Sequence, residues 1–139
     1  MPFRLTLILH DAPHCTRRCL LLAMPGEIDL ANYEELYAEM RAAVDALHAR
    51  IDSLVLDFTG TAFMDSRGAR LVSATREYAV RSGVAVRLAA GGTPETGGVA
   101  LRVITLTGIR RDVPVYGTVL EAVEGVDELG LELGDAGGW

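Results

Sequence analysis

Along the first ten residues, Phe3, Leu5, Leu7 and Leu9 alternate with Arg4, Thr6, Ile8 and His10, and this period of two predicts a strand with one buried face. His10 to Arg17 carries turn chemistry in Asp11, Pro13 and Thr16, and Cys19 to Met24 is a second strand-sized apolar run, so the chain is expected to open with a hairpin. Pro25-Gly26 closes that run. Asn32, with Glu35 three residues on, has the spacing of a capping box, and apolar residues at 33, 36, 37, 40, 44 and 47 follow a helical period behind it. The solvated face of that helix takes Glu34, Glu39, Arg41 and Asp45.

Leu54, Val55 and Leu56 form a short buried strand ending in the turn Asp57-Phe58-Thr59-Gly60, where Asp57 is expected to bond nearby backbone amides. The pair Phe63-Met64 precedes Asp65-Ser66-Arg67-Gly68, after which apolar positions 71, 72, 74, 78 and 79 keep a helical period up to Ser82-Gly83. Asp65 and Ser66 therefore sit at a helix N-terminus, where both are good caps. Val84, Val86 and Leu88 make a further strand, and Gly91 to Gly98 reads as a mobile glycine-rich loop. The segment from Val99 to Leu106 is open between strand, favoured by Val103-Ile104-Thr105, and a short helix stopped at Gly108. Val113 to Tyr116 is a short extended piece whose Pro114 suits a sheet edge, and Thr118 with Glu121 begins a last helix through Val123. Strands alternating with helices behind a hairpin predict one mixed sheet with helices packed on it over residues 1–125, followed by a glycine-rich acidic tail at 126–139.

Composition narrows what such a domain does. A chain of 139 residues is one domain, able to bury roughly two-thirds of its unfolded surface without disulfide or metal. The net charge is −6 and every cation is an arginine, which disfavours attraction to nucleic acid, and no apolar run approaches the ~20 residues of a membrane helix. A soluble cytoplasmic protein is expected. Without lysine there is no P-loop or Schiff-base chemistry, and His10, His14 and His48 lie in segments that give Ser66 no general base, so no enzyme is expected. Cys15 and Cys19 near His10 and His14 match no common zinc spacing, and neither metal nor cofactor is expected.

Several landmarks in order resemble the STAS domain of anti-sigma factor antagonists, from about Leu5 to Val123. They are GEID at 26–29, LVLDFTG at 54–60, FMDSRG at 63–68, LTGI at 106–109, VPVY at 113–116 and TVLEAV at 118–123. The resemblance implies an α/β fold, a mixed sheet of about five strands with about four helices largely on one face, and a helix at Val99 to Leu106. It also implies that Ser66 is phosphorylated by an anti-sigma factor that is itself a serine kinase, and dephosphorylated by a PP2C-type phosphatase. The expected partner-binding residues are Asp29, Asp65, Ser66, Arg67, Gly68 and Arg70.

A phosphoserine at a helix N-terminus is expected to be tolerated by the free amides and the dipole there, while its charge disturbs a partner closed over it. Arg67 stands where the family more often has a small residue, Ala69 where it has leucine, and the Gly91–Gly98 loop is longer than usual. These departures keep open an alternative, a STAS-like scaffold or ligand-sensing subunit that is never phosphorylated.

Overall fold

The computed structural model describes residues 4–12, 15–91 and 98–125. Strands β1 (Arg4–Ala12) and β2 (Cys15–Ala23) pair antiparallel, from Arg4 opposite Ala23 to Ala12 opposite Cys15. The hairpin is thus longer than the turn chemistry of residues 10–17 predicts. Ladder bonds use backbone groups, so the polar stretches on both strands continue the pairing. The buried face expected for Phe3 to Leu9 falls on side chains outside the described residues, as do the middle of the glycine-rich loop and the tail.

Next come the two-residue strand β3 (Glu27–Ile28), helix α1 (Tyr33–Leu47) and strand β4 (Ser53–Asp57). A second two-residue strand, β5 (Phe63–Met64), leads into α2 (Ser66–Arg81), then β6 (Ala85–Ala89) and α3 (Gly98–Leu106). Strand β7 (Val115–Tyr116) and helix α4 (Val119–Glu124) complete the fold. The main sheet has the order β1-β2-β4-β6-β7, antiparallel at β1 and parallel elsewhere, while β3 and β5 pair in parallel as a separate two-stranded sheet. The open segment at 99–106 is helix, ended where the Thr107 hydroxyl bonds back to the Val103 and Ile104 carbonyls and Gly108 turns left-handed at φ 76°. Strand β7 lies at the edge, as Pro114 foretells.

β4 is central and covered on both faces, the condition under which a strand reads as continuously apolar. Its Leu54 and Leu56 join Leu22, Leu88, Leu36, Met40, Leu71, Val72 and Ile104 in a core beneath α1, α2 and α3. Val55, on the other face, packs with Cys19, Ala89 and Tyr116 under Ala122 and Val123 of α4. The Cys19 thiol is a core group, 3.0 Å from Ser53 Oγ and 3.6 Å from the Val123 carbonyl, rather than a loop ligand. No helix among the described residues is long and apolar enough to cross a membrane.

The cap of α1 differs from the expected box. Asn32 has a helical backbone and its side chain makes no cap bond; it is spent backwards, Oδ1 accepting from Asp29 N–H at 3.0 Å and Nδ2 donating to the Glu27 carbonyl at 2.8 Å. The Tyr33 amide instead finds the Asp29 carbonyl at 3.1 Å. The turn into the helix claims the residue that local spacing assigns to the helix itself.

Candidate functional site

Residues Ala23, Asp57 and Ala89 lie in register at the carboxyl ends of β2, β4 and β6, the edge where open parallel sheets place their sites. Here the chain leaves in turns that bind one another. Asp57 shapes the first, its Oδ1 accepting from the Thr59 amide at 2.9 Å and the Thr59 hydroxyl at 2.6 Å. The Gly26 carbonyl then accepts from the Ala62 and Phe63 amides at 2.8 and 3.0 Å, and the Thr61 hydroxyl donates to the Pro25 carbonyl at 2.9 Å. Finally the Asp65 amide donates to the Ile28 carbonyl at 3.2 Å. Two segments some 35 positions apart, carrying Asp29 and Asp65-Ser66, are thereby laced side by side.

Each expected site residue has a definite place. Asp29 is half-buried and shapes its turn: Oδ1 accepts from the Ala31 amide at 2.9 Å, and its carbonyl from the Asn32 and Tyr33 amides. Asp65 is the N-cap of α2, its Oδ1 accepting from the Arg67 amide at 2.8 Å. Ser66, the first residue of the helix, is exposed, and among the described residues its hydroxyl has no hydrogen-bond partner. The cap is therefore the aspartate alone, and the serine oxygen is free to react.

Arg67 leans back on its neighbour, Nη1 lying 3.6 Å from Asp65 Oδ2, with the two side chains 40% and 33% exposed. Such a pair is worth little to stability, though it draws the guanidinium toward Asp65. Gly68 is buried against Met64, with no room for a Cβ. Arg70 is exposed and faces the first turn of α1: burial raises the Tyr33 hydroxyl above the usual tyrosine range, and the charge of Arg70 opposes that rise. Beyond it Tyr33 stacks on Tyr37, with ring centres 6.4 Å apart, and Arg41 lies 4.8 Å over the Tyr37 ring.

A family model for the STAS domain matches residues 12–122. The chain belongs to the STAS domain family. Among solved structures this STAS domain is similar to an anti-sigma factor antagonist from Mycobacterium paratuberculosis, at 24% identity over 88% of this chain and 93% of that one, with a TM-score of 0.61. It is also similar to the anti-sigma factor antagonist SpoIIAA in its unphosphorylated form, at 18% identity, 88% and 100% coverage and a TM-score of 0.58. For the phosphorylated form of SpoIIAA, a Bacillus cell fate determinant, the values are 21% identity, 86% and 97% coverage and a TM-score of 0.53. At these identities the likeness is one of fold. No curated protein matches the chain.

Two surface residues of this STAS domain escape a reading of the sequence. Leu30 is 68% exposed directly after Asp29, and Phe63, 50% exposed, stands two residues before Asp65 on the outward side of β5 while Met64 points in. Because β3 and β5 are paired, both flank the rim that carries Ser66. The available signal is an apolar residue within two positions of each acidic one, at ends of segments too short to show a period. Ala69, where the family more often has leucine, is buried at the root of α2, so that difference falls inside the domain rather than on its rim.

Proposed function

We propose that this STAS domain is an anti-sigma factor antagonist whose partner is a serine-kinase anti-sigma factor, bound while Ser66 carries a free hydroxyl and released once Ser66 is phosphorylated. The observation that carries the reading is the Ser66 side chain, exposed at the first position of α2 and without a hydrogen-bond partner among the described residues. The likeness to antagonists, one of them known with and without phosphate, supports it. In the forward step Ser66 Oγ attacks the γ-phosphorus of ATP held by the kinase, its proton passes to a base of the kinase, and ADP leaves. A PP2C-type phosphatase reverses this with water, releasing inorganic phosphate. The domain is the phosphoryl acceptor in the first reaction and the substrate hydrolysed in the second, not an enzyme, and its setting is the cytoplasm, where sigma factors act.

The physics of release lies at the rim. A phosphomonoester adds about −1.5 to −2 charges next to Asp65 and on a segment bonded to the one that carries Asp29, at a rim that also exposes Leu30 and Phe63. A partner closed over Ser66 must then desolvate that charge or leave the apolar contacts, and each ~1.4 kcal/mol of that cost is tenfold in affinity.

Pull-down from the native cell extract with Ser66→Ala identifies the partner, and calorimetry then compares the forms. Wild type and Ser66→Ala are expected to bind alike, and Ser66→Asp and the phosphorylated protein at least tenfold more weakly, a difference of about 1.4 kcal/mol. Equal affinities would sink the switch. Intact mass of the protein from its own cells should show a fraction heavier by one phosphate; a single unmodified mass favours the never-phosphorylated scaffold.

A further inference from the structure

We propose that Arg70 is the internal counter-ion of phosphorylated Ser66, its guanidinium folding onto the phosphate across one turn of α2. This rests on the phosphorylation of Ser66 proposed above and adds what holds the phosphate once it is there.

Two of the amides at the start of α2 are already engaged. The Arg67 amide is bonded to Asp65 Oδ1 at 2.8 Å and the Gly68 amide to the Asp65 carbonyl at 2.9 Å. The cap that makes the helix start at Ser66 has thus taken two of the donors that a phosphate there would use, leaving the Ser66 amide. The neighbouring charges make matters worse, because the carboxylate of Asp65 adjoins Ser66 and that of Asp29 lies on the segment bonded to it. A dianion at this place needs a cation.

Two arginines are near in sequence, and geometry separates them. Arg67 is one residue on, about 100° round the helix from Ser66, and its Nη1 already lies 3.6 Å from Asp65 Oδ2. Arg70 is four residues on, so its side chain and that of Ser66 share one face, one above the other. It is exposed, and among the described residues it has no carboxylate partner. The uncharged Tyr33 hydroxyl on α1 feels its charge. A guanidinium is also the side chain best matched to a phosphate, presenting two parallel N–H donors to two oxygens. Phosphorylation therefore alters the rim twice, adding a dianion at Ser66 and taking Arg70 out of a partner's reach.

Phosphoserine installed at position 66 during translation makes the test independent of any kinase. The second ionisation of the phosphate, followed by 31P NMR, is expected about 0.2–0.4 pH unit lower with Arg70 present than in Arg70→Gln, the size that an exposed pair four residues apart produces. Arg70→Lys should recover the shift and Arg67→Gln should leave it in place. Identical titrations of the native and Arg70→Gln proteins overturn the proposal, as does a shift lost in Arg67→Gln but kept in Arg70→Gln. Arg70 is exposed, so its variants are expected to keep the native circular dichroism. Failure here leaves the binding switch standing, and equal partner affinities in the earlier experiment leave the ion pair standing.

Discussion

At the scale of single residues, the rim is built from groups whose first duty is structural. Asp29 and Asp57 hold turns, Asp65 caps α2 and Asn32 ties the Glu27–Asp29 turn to the helix behind it. Ser66, by contrast, is exposed at the rim and its hydroxyl has no hydrogen-bond partner among the described residues. Gly68 shows how closely this is packed. A Cβ there would fall on Met64 Cγ and Sδ and within 2.6 Å of Cε, and Met64 is itself 3% exposed, so it has no open space to retreat into. Gly68→Ala is expected to be destabilising: overpacking costs about 1–3 kcal/mol, of which alanine's better helix propensity returns up to about 1. A lower urea midpoint at unchanged slope is the expected result. An unchanged midpoint would mean that Met64 repacks freely and that the glycine is not required.

At the scale of elements, the shortest pieces depend most on specific bonds. Helix α4 has six residues, too few to persist in water by propensity. It is held by Ala122 and Val123 in the second core and by a complete capping box, the Glu121 amide donating to Thr118 Oγ1 at 3.1 Å and the Thr118 amide to Glu121 Oε1 at 3.2 Å. Thr118→Ala should therefore cost about 1 kcal/mol in chemical denaturation, while Thr118→Ser, which keeps the oxygen, should cost much less. Strands β3 and β5 are two residues each and exist because their partners are brought together, Glu27 opposite Phe63 and Ile28 opposite Met64. The close of β6 shows the same dependence, since a Cβ on Gly91 would come within 2.6 Å of the Gly117 carbonyl oxygen.

At the scale of the molecule, two cores share one central strand. Leu54 and Leu56 face three helices, and Ser53 and Val55 face α4. Losing β4 would unmake both cores together, so unfolding is expected as one transition. Leu56 is fully buried, and Leu56→Ala should lower stability by about 2–5 kcal/mol with that single transition preserved. Two separated transitions would instead assign the α4 face an independent stability. The same strand delivers the rim: its carboxyl end at Asp57 starts the turns that carry β5 and Ser66, so the site is placed by the most buried part of the sheet.

What the sequence by itself determined is what rests on neighbours within about four positions. The helical periods of α1 and α2, the Asp65-Ser66 helix start, the capping box at Thr118 and the edge position of β7 were all legible because their causes are local. Local propensity left the segment at 99–106 open, since β-branched propensity and helical spacing oppose each other there; the family resemblance made it a helix, and packing of Ala100 and Ile104 into the core is the physical reason. Tertiary structure alone set the pairing of β3 with β5 and the exposure of Leu30 and Phe63. A two-residue strand has no period to read, and whether a side chain is covered depends on segments far along the chain. Ser66 could thus be named only through the resemblance carried by FMDSRG, its place at a helix start by itself giving a cap, and the structure assigns that cap to Asp65.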